Sequence, residues 1–79
     1  MATHLDIRRT RITADSAEYT YGTVDVRDGK FRILLTSGET QLIEAAPGGI
    51  EQRLYLRAAH KIKTAWLEGN LPETAVWAS

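Results

Sequence analysis

The hydrophobic pattern of this 79-residue chain changes period once, and the change falls on one joint, Ala45-Ala46-Pro47-Gly48-Gly49. Before the joint, apolar and polar residues alternate, as on a half-buried strand. After it, apolar residues recur at the helical spacing of about 3.6. Proline and paired glycines stop a strand and let the chain turn. The plan is therefore strands first (about 5–44), the joint (45–49), one helix (about 50–68) and a short tail (70–79).

The turn signals before the joint set the expected strands. Asp28-Gly29 suits a two-residue type I′ turn, because Asp and Gly tolerate positive φ. Closing a hairpin there pairs Arg27 with Lys30, Val26 with Phe31, Asp25 with Arg32 and Val24 with Ile33. Period two then puts Val24, Val26, Phe31, Ile33 and Leu35 on a core face. Tyr21, Thr23, Asp25, Arg27, Lys30, Arg32 and Leu34 fall on the other. Thr36-Ser37-Gly38-Glu39 is a second turn, leading into a strand over Thr40–Glu44. A two-residue Ser37-Gly38 loop sends Leu42 inward beside Ile33, and a three-residue loop sends Ile43 inward; the first is preferred. At the front, Leu5–Thr13 reads as extended, with a bulge near Arg8-Arg9 reconciling the parity of Leu5 and Ile7 with that of Ile12. Asp15-Ser16 turns the chain into a strand beginning near Glu18.

Beyond the joint, Leu54, Tyr55, Ala58, Ile62, Ala65 and Trp66 fall within one arc of about 120°, the width that covers a sheet. Gly69-Asn70, with Pro72 soon after, is a C-terminal stop. The tail Thr74–Ala78 either adds an edge strand or packs against the helix. The expected fold is α+β: a small antiparallel meander of three to five strands with one amphipathic helix across one face, in a single domain spanning residues 1–79.

Composition narrows the chemistry. There is no cysteine, so neither a disulfide nor a thiolate metal site is available. The net charge is zero. Arg8, Arg9 and Arg11 against Asp6 give residues 1–14 a charge of +2; residues 15–49 carry −3 and residues 50–79 carry +1. A general nucleic-acid binder or an acidic mimic of one usually has a stronger net charge than this, which leaves room for a local basic patch only. No apolar run approaches the roughly 20 residues of a membrane span. The polar start is unlike a signal peptide. The expected location is cytoplasmic.

No catalytic constellation stands out, so an enzyme is not expected. His4 and His60 are the only histidines, and a metal site needs several converging ligands. Asp25 and Asp28 are accounted for by a cross-strand partner and by the turn. No cofactor is expected. Two surfaces are candidates. On the outer helix face, Leu56, Lys63 and Leu67 lie close in angle with His60 and Arg53 beside them. That mixed apolar and basic stripe suits a partner contact, with Arg57 and the outward Tyr21 as further contributors. The competing reading has Leu67 covering the tail and Leu56 as an ordinary exposed leucine. The second surface is the arginine-rich edge Arg8, Arg9 and Arg11, with Arg53 and Arg57 if strand one lies beside the helix; Tyr19 and Tyr21 would stack bases. Cross-strand ion pairs with Glu18, Asp25 or Asp6 are the competing account of those arginines.

In build, through the Asp28-Gly29 hairpin, the Pro47-Gly48-Gly49 joint and the Ile50–Leu67 helix, the chain resembles small phage-encoded inhibitors of the anti-CRISPR type. That resemblance implies a cytoplasmic protein, a monomer or weak dimer, that binds a host CRISPR effector complex and blocks target-DNA recruitment or nuclease action. The expected function is non-catalytic binding and occlusion of a protein or nucleoprotein complex. The alternative is a small nucleic-acid-binding module using the arginine edge.

Overall fold

The computed structural model describes residues 4–23, 29–44 and 51–78, the side chains of 51–53 and 78 excepted. Five strands and one helix run β1 (His4–Ile12), β2 (Ser16–Gly22), β3 (Gly29–Leu34), β4 (Thr40–Glu44), α1 (Glu51–Leu67) and β5 (Thr74–Ala78). The strands form one antiparallel sheet in the order β4-β3-β2-β1-β5. The first four are the expected meander. The tail takes the edge-strand option, pairing Leu5 with Trp77 and Ile7 with Ala75.

One face of the sheet and one arc of the helix make the core. Leu5, Ile7, Ala17, Tyr19, Tyr21, Phe31 and Ile33 from the sheet meet Leu54, Tyr55, Ala58, Ala59 and Ile62 from α1. Four aromatic rings sit at its centre. Tyr19 stacks on Phe31 with centroids 5.6 Å apart, and Tyr55 meets the edge of Phe31 at 5.9 Å. Tyr21 tilts against both Phe31 and Tyr55. Offset and edge-on pairs of this kind add about 0.5–1.5 kcal/mol each beyond the area they bury.

The central hairpin departs from the expected register. Tyr21 pairs with Gly29, Tyr19 with Phe31 and Ala17 with Ile33. Arg32 therefore opposes Glu18, not Asp25, and the two form an ion pair at 3.7 Å. Relative to the two-residue turn, the pairing slides by an odd number of residues, which swaps the faces of the first strand. Tyr19 and Tyr21 thus go inward; the expectation of outward tyrosines is overturned. The gain is aromatic area: this register places two Tyr rings against Phe31. Gly29 has no positive φ and is not the corner of a turn. It opposes Tyr21, whose ring lies where a Cβ on Gly29 would stand. Val24, Asp25, Val26, Arg27 and Asp28 lie outside the described residues, as do the joint at 45–49 and Ile50.

Smaller corrections follow along the sheet. The bulge in β1 falls between Arg9 and Arg11, slightly after the expected place. On the edge strand β4, Leu42 lies on the core-side face but stays exposed and is not part of the core. It opposes Phe31 while Thr40 opposes Ile33, one pair further along than expected. The reason is a longer connection, closed by Gly38 N–H donating to Leu34 O (2.7 Å) and Leu34 N–H to Glu39 O (2.8 Å). Gly38 there adopts φ +77° under the Trp66 ring.

The helix follows its sequence closely. Ile62 is fully buried. Trp66 packs against the core and donates its indole N–H to Leu35 O (3.1 Å). The stop is a Schellman arrangement: Asn70 N–H reaches Ala65 O and Gly69 N–H reaches Trp66 O, each at 3.0 Å, with Gly69 at φ +78°. The chain then returns through Leu71 and Pro72, where Tyr19 donates its hydroxyl to Pro72 O at 2.6 Å.

Candidate functional site

One face of the helix covers the sheet, which leaves its far side and the far face of the sheet as the two broad surfaces. On the helix, Leu56, His60, Lys63 and Leu67 are spaced four, three and four residues apart and form one stripe. All four are exposed. Leu56 is 60% and Leu67 68% accessible. The competing account of Leu67 fails here, because the tail pairs with β1 and leaves that leucine uncovered. Over about 16 Å of helix, at about 1.5 Å per residue, two leucines flank an imidazole and an ammonium group.

The other residues grouped with this stripe sit elsewhere. Arg57 is half-buried, its guanidinium 4.3 Å above the Trp77 ring. It clamps β5 to the helix by a cation–π contact, so its charge faces inward. Tyr21 is in the core and contributes nothing to the surface. The side chain of Arg53 lies outside the described residues. The sequence leaves Trp77 two places, an edge strand or a pack against the helix, and so does not single it out as the partner of Arg57.

The arginine edge divides in two. Paired residues of antiparallel strands share a face. Arg9 opposes Tyr19 and so lies on the core side, where its guanidinium meets Glu73 Oε1 at 3.4 Å while its backbone N–H donates to Glu73 O at 2.7 Å. The Arg9 charge also acts on Tyr19: burial raises the pKa of that hydroxyl, and the neighbouring guanidinium pulls against the rise. Arg8 opposes Thr20 and Arg11 opposes Glu18, which places both on the solvent face. The anticipated companionship with Arg57 does not arise, since that residue is committed to Trp77. Around Arg8–Ile12, Glu73 and Thr74 the surface forms a concavity of about 410 Å³. Glu73 and Thr74 were not recognisable as part of this edge from the sequence, because only the β1–β5 pairing brings them there.

Among the described residues, no group of His, Cys, Asp and Glu is arranged to hold a metal ion. His4 is taken up by Asp6 at 3.1 Å. No described helix is long and apolar enough to cross a membrane. Fold and surfaces together define a small α+β domain, one helix on an antiparallel five-stranded sheet. Compared with known proteins, the chain matches no family model, no curated protein and no solved structure.

Proposed function

We propose that this protein is a non-catalytic binding protein that occludes a surface of a larger protein or nucleoprotein complex, with the Leu56–Leu67 stripe as its contact face. The observation that carries the reading is the pair of leucines held more than half exposed on one stripe with Lys63 and His60. Leucines on the outer face of a helix already buried on its core arc add nothing to the core. Apolar residues bordered by cations suit a partner patch of apolar and acidic side chains. Size and build, like those of small phage-encoded inhibitors, make a CRISPR effector complex the most concrete target, and a host cytoplasm the setting.

The test is a phage-plaquing assay in cells whose CRISPR immunity blocks that phage. Expression of the chain should restore plaques, and inhibition of the purified effector should saturate near one chain per site. Leu56→Glu combined with Lys63→Glu should abolish both effects while the thermal melt stays nearly unchanged, since both residues are exposed. Full inhibition by the folded double variant would exclude the stripe. Inhibition at far below one equivalent would indicate turnover and defeat the reading.

A further inference from the structure

The β-bulge in β1 does more than bend a strand. Arg8 and Arg11 are three residues apart, a spacing that puts side chains on opposite faces of a regular strand. The register shift between Arg9 and Arg11 adds one residue, so that Arg8 and Arg11 oppose Thr20 and Glu18 on the same, solvent-facing side. The two arginines share the face turned away from the core and the helix, and both line one concavity.

Among the described residues, Glu18 pairs with Arg32 at 3.7 Å and Glu73 with Arg9 at 3.4 Å, while Asp6 meets His4 at 3.1 Å. The side chains of Arg8 and Arg11 form no ion pair or hydrogen bond with any described residue. Beside them β5 stops pairing at Thr74 opposite Arg8, and there the surface forms the concavity of about 410 Å³, which Thr10, Ile12, Thr74 and the Arg9–Glu73 pair also line.

We infer that this concavity is a phosphate site for the sugar–phosphate backbone of a nucleic acid, with Arg8 and Arg11 as its two ligating cations. The guanidinium fork matches a phosphate bidentately, and two such groups on one face suit successive phosphates of a strand. Sequence is not read: Tyr19 and Tyr21 are buried, so the outer face offers no tyrosine on which a base could stack. An extended acidic peptide fits less well, because the β1 edge left open past Thr74 is only a few residues long and too short for a strand to add. The inference goes beyond the occluding-binder reading and stands apart from it, since the helix stripe lies across the sheet on the opposite side of the molecule.

Fluorescence anisotropy with a labelled DNA duplex and the matching single strand tests it, over a salt series. Two phosphate contacts predict a fall of log affinity with log salt of slope about −2 for duplex and somewhat less for the single strand. The folded Arg8→Gln, Arg11→Gln double variant should lose at least about tenfold in affinity at low salt and flatten the slope by about 2. Each single variant should show about half of that change, which keeps the test decisive if the double variant fails to fold. Lys61→Gln removes an exposed helix cation and should change nothing. Unaltered binding by the arginine variants would overturn the inference. So would polyglutamate displacing the DNA as well as unlabelled DNA does at equal charge, because that would identify a site for acidic protein.

Discussion

At the scale of single residues, the tightest constraint is between Gly29 and Tyr21. A Cβ at Gly29 would stand 2.5 Å from the Tyr21 ring and its hydroxyl oxygen, and Tyr21 is itself wedged between Phe31 and Tyr55. Gly29→Ala should therefore cost about 1–3 kcal/mol, the range for overpacking a filled core. A melt shows this directly, and Tyr21→Phe should recover part of the loss by removing the crowded oxygen. If Gly29→Ala left the melting temperature unchanged, the close approach would be refuted. The glycine signal was visible in the sequence, but its meaning was not: Asp28-Gly29 has the chemistry of a tight turn, whereas the glycine's role depends on a ring eight positions earlier. Tyr19 gives a second residue-scale prediction. Its pKa is raised by burial, so its protonated hydroxyl is favoured by folding. That contribution is intact below the ordinary tyrosine pKa of 10.0. It is lost as pH rises through the higher folded value. Stability should fall in strongly alkaline solution, and Tyr19→Phe should flatten that fall while losing the hydrogen bond to Pro72. An alkaline melt profile identical in the two proteins would show that Tyr19 does not titrate with unfolding.

At the scale of elements, the helix was legible and the sheet register was not, for a physical reason. Helical periodicity is local: Leu54, Tyr55, Ala58 and Ile62 lie within a few turns of one another, and all four are buried. The stop at Gly69-Asn70 is likewise written in adjacent residues. Ile62→Ala should accordingly cost about 2–5 kcal/mol, a large share of the stability of a domain this small, and calorimetry of the variant reads it. A shift below about 0.5 kcal/mol would mean that the helix packs through another arc. Register, by contrast, is decided by partners far apart in sequence. Two alternating runs, Val24-Val26 and Tyr19-Tyr21, competed to face Phe31 and Ile33, and local turn chemistry favoured the nearer one. The aromatic run is the one that pairs. For Thr74–Ala78 the sequence offers an edge strand or a pack against the helix without deciding between them. The place of β5 beside β1, with Trp77 under Arg57, depends on a return of the chain that no local pattern encodes. The two candidate surfaces divide along the same line. The exposed leucines follow from helical angle alone. The Arg8–Arg11 pair requires the bulge, which the sequence indicated only through the clash of parity between Ile7 and Ile12.

At the scale of the whole molecule, one sheet separates two surfaces of different character. The helix side presents Leu56, His60, Lys63 and Leu67, and the open sheet face presents Arg8 and Arg11 beside a concavity. No side chain belongs to both surfaces. Changes at sites without shared partners usually add within about 0.3–0.5 kcal/mol. If a single nucleoprotein target engages both faces, the Leu56→Glu, Lys63→Glu pair and the Arg8→Gln, Arg11→Gln pair should therefore weaken inhibition additively when combined. Their salt dependence should differ. The arginine loss should fade as salt rises, because it stems from phosphate contacts that salt already weakens. The stripe loss should persist, because it includes apolar contact that salt screens little. The measurement is a four-way cycle of inhibition constants at low and high salt, with the melt of each variant as a folding check. Additivity with the two salt signatures would establish two independent contacts on opposite sides of the sheet. Strong coupling between the pairs, or two losses that fade equally with salt, would mean that a single electrostatic surface governs binding and that the division by face is wrong.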